Sequence, residues 1–90
     1  MSVKVVIAET FQSATGGIES VEVEGKTIGL CLEQAVKRFP GLQKLWFKRE
    51  HQLAHYILVL INGENTSQNN LGRPVQDGDE IYPMLVIGGG

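Results

Sequence analysis

The residues with the most chemical potential stand at the end of the chain, Val86-Ile87-Gly88-Gly89-Gly90. A terminal carboxylate is ionised at neutral pH, because its pKa lies near ~3.5. It can therefore attack the α-phosphate of ATP. Glycines behind it lack Cβ atoms, so such a tail can extend into a channel too narrow for any other residue. The competing reading is an inert terminus, since chain ends usually tolerate change. Other candidate chemistry is weaker. His51 and His55 have the i, i+4 spacing of a zinc-binding helix, but Gln52 stands where the metalloprotease motif needs glutamate, and no third ligand is evident. Cys31 is the single cysteine and falls on the apolar face of a predicted helix, which marks an inert core thiol. No serine or cysteine has an adjacent base, so no catalytic triad is expected. Gly16-Gly17 is not followed by a helix and is no phosphate loop.

Bulk properties narrow the classes. Ninety residues make one domain with a thin core, leaving little room for a deep catalytic cleft. A formal charge of -2 argues against a basic nucleic-acid surface. One cysteine excludes an internal disulfide or a four-cysteine iron–sulfur cluster. The start resembles no signal peptide, and the longest apolar run, Tyr56 to Ile61, is far short of the ~18 residues that span a bilayer. We expect a cytoplasmic protein that uses neither membrane nor nucleic acid. No residue set suits a bound cofactor or metal.

The elements that must position the tail follow from periodicity. Val3 to Ala8 is a β-branched strand with Val3, Val5 and Ile7 toward the core. Thr15-Gly16-Gly17 turns the chain. Glu19 to Glu24 alternates strictly, with Val21 and Val23 on one face, and should pair with the first strand as a hairpin. From Ile28 the period changes: Ile28, Cys31, Leu32, Ala35, Val36 and Phe39 share one helix face, Thr27 caps it, and Pro40-Gly41 ends it. Phe39 is expected to close the helix–sheet core. Gly29 suggests close approach to a strand. Leu42 to Ala54 reads as a short helix or a long loop anchored by Leu42, Leu45, Trp46 and Leu53. Tyr56 to Ile61 is a strand apolar on both faces, Asn62-Gly63 is a hairpin turn, and Glu64 to Asn70 holds a short edge strand. Asp77-Gly78 turns into the last strand, Glu80 to Val86. The acidic turn Asp77, Asp79, Glu80 is a solubility feature or meets a basic partner.

The order ββαβ(β)β predicts an α+β fold of the β-grasp type, one mixed sheet gripping one main helix. The single domain covers residues 1–90, with 86–90 as the extended tail. Because one helix covers only one sheet face, the other face must expose apolar side chains unless the Leu42–Ala54 segment folds over it. We assign Leu58, Leu60, Tyr82 and Met84, continued by Val86, Ile87 and Gly88, to a partner-binding surface. Gly89 and Gly90 are the reacting end. Pro83 lacks an amide hydrogen, so pairing should fail there and could release the chain just beyond.

These pieces together resemble the ThiS/MoaD sulfur carriers, which are ubiquitin-like β-grasp proteins. The resemblance rests on Phe39-Pro40-Gly41-Leu42, Leu60-Ile61-Asn62-Gly63-Glu64, Asp77-Gly78-Asp79-Glu80 and the terminal Gly89-Gly90. The Leu42–Tyr56 and Leu71 to Pro74 stretches look like the longer, CysO-type variants. Gly88 stands where alanine or serine is usual in the family, and Val86-Ile87 is bulkier than its usual pre-glycine residues. The resemblance implies a protein co-substrate rather than an enzyme. An E1-like adenylating enzyme of the MoeB/ThiF type would use ATP to activate the Gly90 carboxylate. A sulfur donor would convert it to a thiocarboxylate. An acceptor enzyme would take the sulfur: molybdopterin synthase large subunit, thiazole synthase or cysteine synthase. Two alternatives stand beside this, a ubiquitin-like modifier joined through Gly90 to lysines and a β-grasp binding module with an inert tail.

Overall fold

The alternation of Val3, Lys4, Val5 and Val6 puts two fully buried valines on one side of the first strand, β1 (Val3–Val6). The computed structural model describes residues 2–50, 52–66 and 70–86. A 3₁₀-helix, Glu9–Ala14, follows β1 and buries Phe11. Gly16 and Gly17, at φ 66° and 90°, then take the left-handed backbone that reverses the chain at little steric cost. The chain returns as β2 (Ser20–Val23), antiparallel to β1, with Val21 and Val23 buried.

Helix α1 (Ile28–Arg38) starts where Thr27 Oγ1 accepts the Leu30 amide at 3.2 Å. The next donors are satisfied by a crossing loop: Ile28 N donates to the Arg73 carbonyl at 3.0 Å and Gly29 N to the Leu71 carbonyl at 2.8 Å. That loop, not a strand, is why position 29 is glycine. A Cβ there would lie 3.1 Å from both Leu71 Cβ and Leu71 O. Ile28, Cys31, Leu32 and Ala35 are buried against the sheet.

Phe39 departs from expectation. It is the helix C-cap, with φ -132° and ψ 84°, and is only half-buried. The side chain that closes this end of the core is Trp46, fully buried on α2 (Leu42–Trp46), with its ring 6.1 Å from and edge-to-face with Phe11. The chain continues as a small hairpin, β3 (Phe47–Arg49) with β4 (Gln52–Leu53). Ala54 N donates to the Trp46 carbonyl at 2.9 Å, and Leu42, Phe47, Leu53 and Ala54 all join the core. The 42–54 segment therefore packs on the helix side of the sheet.

The sheet is completed by β5 (Ile57–Ile61), β6 (Glu64–Asn65) and β7 (Glu80–Leu85). Strand order is β2-β1-β7-β5-β6, with β1 and β7 parallel at its centre and the remaining neighbours antiparallel. One mixed sheet gripping one main helix is the β-grasp architecture expected from the sequence.

Candidate functional site: the outer sheet face and the root of the tail

Strands β5 and β7 are apolar on both sides, and their register decides which side chains meet solvent. Ile57, Val59 and Ile61 are buried under the helix, as are Ile81 and Pro83. Leu58, Leu60, Tyr82 and Met84 point the other way and are half-buried. Leu58 stands opposite Met84, and Leu60 opposite Tyr82. The four residues assigned to a partner surface thus form two adjacent cross-strand pairs on a face that α1 and α2 leave open.

Two further residues extend this face. Tyr56 and Val86, 40% and 42% exposed, carry the even-numbered alternation one step past Leu58 and Met84. Val86 N donates to the Tyr56 carbonyl at 2.8 Å, so β-type bonding to β5 persists through Val86. The His55 ring packs edge-on against Tyr56 at 5.3 Å. Val6, partly buried on the outer side of β1, extends the face at its far edge beside Tyr82. Neither Tyr56 nor Val6 was among the residues assigned to this face from the sequence. Both follow from continuing the alternation of Leu58 and Lys4 by one step. A cavity of 480 Å³ opens beside Tyr82 and Val6, bounded also by Glu9, Gln12 and Glu19. Lys4 and Glu80 form an exposed ion pair at 3.7 Å at the end of the face away from the tail.

Pro83 corrects the expected release point. Asn62 N to the Glu80 carbonyl and Val86 N to the Tyr56 carbonyl mark the bonded positions of the β5–β7 ladder. Pro83, opposite Val59, falls between them, so its missing amide would face β1. The pairing of β1 with β7 ends at Val5–Ile81, two residues before Pro83. Proline therefore ends one ladder and leaves the other intact. The expected reacting and docking residues Ile87, Gly88, Gly89 and Gly90 lie outside the described residues.

The acidic turn is part of the framework. Asn62, at φ 51°, and Gly63, at φ 83°, form the left-handed pair of a tight hairpin between β5 and β6. Asn62 Nδ2 donates to Asp79 Oδ1 at 3.0 Å, while Asn62 Oδ1 accepts the Glu80 amide at 2.9 Å. Asp79 Oδ2 accepts the Gln76 amide at 2.8 Å. That backbone donor first, and the Asn62 amide second, hold the Asp79 carboxyl below the usual aspartate range. At the same end, Asp77 Oδ1 accepts the Ser2 amide at 2.6 Å.

Cys31 is fully buried, its thiol directed at the Gly25 carbonyl at 3.6 Å. Burial, and secondarily the charge of Asp79, pushes the thiol above its usual pKa, so it is a core residue rather than a nucleophile. Among the described residues no group of His, Cys, Asp and Glu is placed to hold a metal ion, and no helix is long and apolar enough to cross a membrane. His51, half of the histidine pair, lies outside the described residues.

A mixed sheet gripping one helix, with an apolar outer face from which the last strand runs on toward the glycines, defines a ubiquitin-like domain. The chain belongs to the ThiS family, whose model matches residues 5–90. It is similar to a chain in the crystal structure of the Amycolatopsis orientalis BexX/CysO complex, at 30% identity and TM-score 0.82, covering 98% of this chain and 99% of that one. It is also similar to SAMP1 from Haloferax volcanii, at 28% identity and TM-score 0.81, covering 100% of both chains. The small archaeal modifier protein 1 of Methanosarcina acetivorans matches at 25% identity and TM-score 0.85, covering 99% of this chain and 96% of that one. Among curated proteins nothing matches. Each of these likenesses extends over nearly the whole chain.

Proposed function

We propose that the protein is a sulfur carrier whose reacting group is the Gly90 carboxylate. The observation that carries this reading is the family match through residue 90, on a domain whose outer face stays apolar up to Val86. In the first step a Gly90 carboxylate oxygen bonds to the α-phosphorus of ATP, and pyrophosphate leaves. In the second, a hydrosulfide-level donor bonds to the acyl carbon and AMP leaves with its electron pair, giving a thiocarboxylate. This chain supplies the nucleophile and a docking face. An E1-like adenylating enzyme supplies the ATP site and catalysis, and an acceptor enzyme takes the sulfur. The likeness to a chain in a BexX/CysO complex supports a carrier that docks on a partner protein.

Glycine at position 89 suits the chemistry because a Cβ beside the acyl carbon would obstruct a confined channel. ATP–pyrophosphate exchange with the E1-like enzyme of the same cell tests the step. Gly89→Val and deletion of Gly90 should abolish exchange while thermal unfolding stays unchanged. Normal exchange by Gly89→Val would refute the channel argument.

The second reading is a modifier joined through Gly90 to target lysines, favoured by the likeness to two small archaeal modifier proteins. It shares the adenylate and differs in what consumes it.

A further inference from the structure

Among the described residues, the backbone bond nearest the C-terminus lies at Val86. Val86 N donates to the Tyr56 carbonyl at 2.8 Å, one residue beyond the end of β7. Up to that bond, every step of the chain from Ile81 is paired with β5. The Tyr56 and Val86 side chains lie on the apolar outer face, continuous with Leu58 and Met84. The apolar outer face and the last described residue before the glycines are therefore held in one unit.

We propose that this bond is a positioning contact: it registers the tail against the docking face, and Tyr56, through its main-chain carbonyl, is a positioning residue for activation. The inference rests on the reading of Gly90 as the reacting end. Four residues separate Val86 from the Gly90 carboxyl carbon. Fully extended, four residues span at most roughly 13–14 Å. The phosphate that Gly90 attacks must then lie within that distance of the docked end of β7. A reach so short leaves little slack. Loss of one ladder bond frees an additional residue and spreads the carboxylate over a larger volume. Misplacement of a reacting group by about 1 Å can cost on the order of 100-fold in rate.

The test compares three variants in ATP–pyrophosphate exchange with the E1-like enzyme, reading kcat and KM separately. Val86→Pro removes the donor, and its demand for an extended preceding residue is already met by Leu85 in β7. Val86→Ala removes the exposed side chain but keeps the donor. A single glycine inserted after Val86 keeps the bond and lengthens the tail by about 3.5 Å. Val86→Ala should raise KM and hold kcat. Val86→Pro should lower kcat a further ~10–100-fold relative to Val86→Ala. The insertion should lower kcat with KM unchanged. Thermal unfolding of all three should stay close to wild type, because Val86 is exposed at the sheet end.

Equal kcat for Val86→Pro and Val86→Ala would overturn the proposal, as would full activity of the insertion. Wild-type protein that supports no exchange would overturn the carrier reading itself, and the positioning role with it.

Discussion

Replacing Ile57 and Leu58, one at a time, with glutamate places the same charge on opposite faces of one strand. Ile57 is 3% exposed, beneath the helix. Ile57→Glu loses the buried side chain's transfer and packing contribution, about 2–5 kcal/mol for large-to-small changes at such sites. It also buries a carboxyl without a partner, at about 1–3 kcal/mol. A 90-residue domain has a total stability of about 5–13 kcal/mol, so this loss takes most or all of it. The buried carboxyl would be held neutral, with its pKa raised. Its penalty therefore grows as pH rises through the ordinary glutamate value near ~4.3, and the variant should be least unstable in mild acid. Leu58, half-buried on the open face, loses about 1 kcal/mol of apolar burial when changed to glutamate, and its carboxylate stays solvated. Leu58→Glu should fold and bind partner at least tenfold more weakly. Urea unfolding and partner titration read the two effects separately. Equal destabilisation by both substitutions would refute the assignment of faces, and with it the docking surface.

Trp46→Ala should cost about 3–5 kcal/mol, whereas the half-buried Phe39→Ala should cost about 1–2; the midpoints of urea unfolding give the order, and a larger loss at Phe39 would contradict it. Gly29→Ala should destabilise despite alanine's better helix propensity, because its methyl meets Leu71; a gain in melting temperature would show that the loop yields freely. Asp79 has a lowered pKa when folded, so its contribution is present above the ordinary aspartate value and is lost as pH falls through the folded value. Asp79→Asn should accordingly flatten the acid limb of a stability–pH profile and leave the rest of its shape unchanged.

The sheet and the main helix were legible because their periods are long enough to show. Val3, Val5 and Ile7 alternate with Lys4 and Val6, and Ile28, Cys31, Leu32 and Ala35 keep a helical spacing that Thr27 and Pro40 bracket. Phe39 fits the same spacing, but the helix ends at Arg38, and the non-helical C-cap carries Phe39 away from the fully buried position. The segment after it was opaque for a related reason. A helix of five residues and strands of three and two are each too short to display a period. The capacity of Trp46 to seal the core depends on Phe11, far away in sequence within a 3₁₀-helix that no pattern announced. The open sheet face was readable as a fact of having one helix for two faces. Alternation placed Leu58, Leu60, Tyr82 and Met84 on the open face, but their pairing across strands needed the register of β5 with β7, and the role of Pro83 needed the length of the β1–β7 ladder.

If Gly90 carries sulfur, the change shows in its carboxyl group. Intact-mass spectrometry of the protein purified from its own cell under non-reducing conditions should show a form in which one oxygen is replaced by sulfur. Alkylation should label that form at the C-terminus even in Cys31→Ser, which removes the only cysteine of the chain. Abundant conjugates joining Gly90 to lysines of other proteins, with no sulfur-exchanged form, would rule out sulfur carriage and establish a modifier instead.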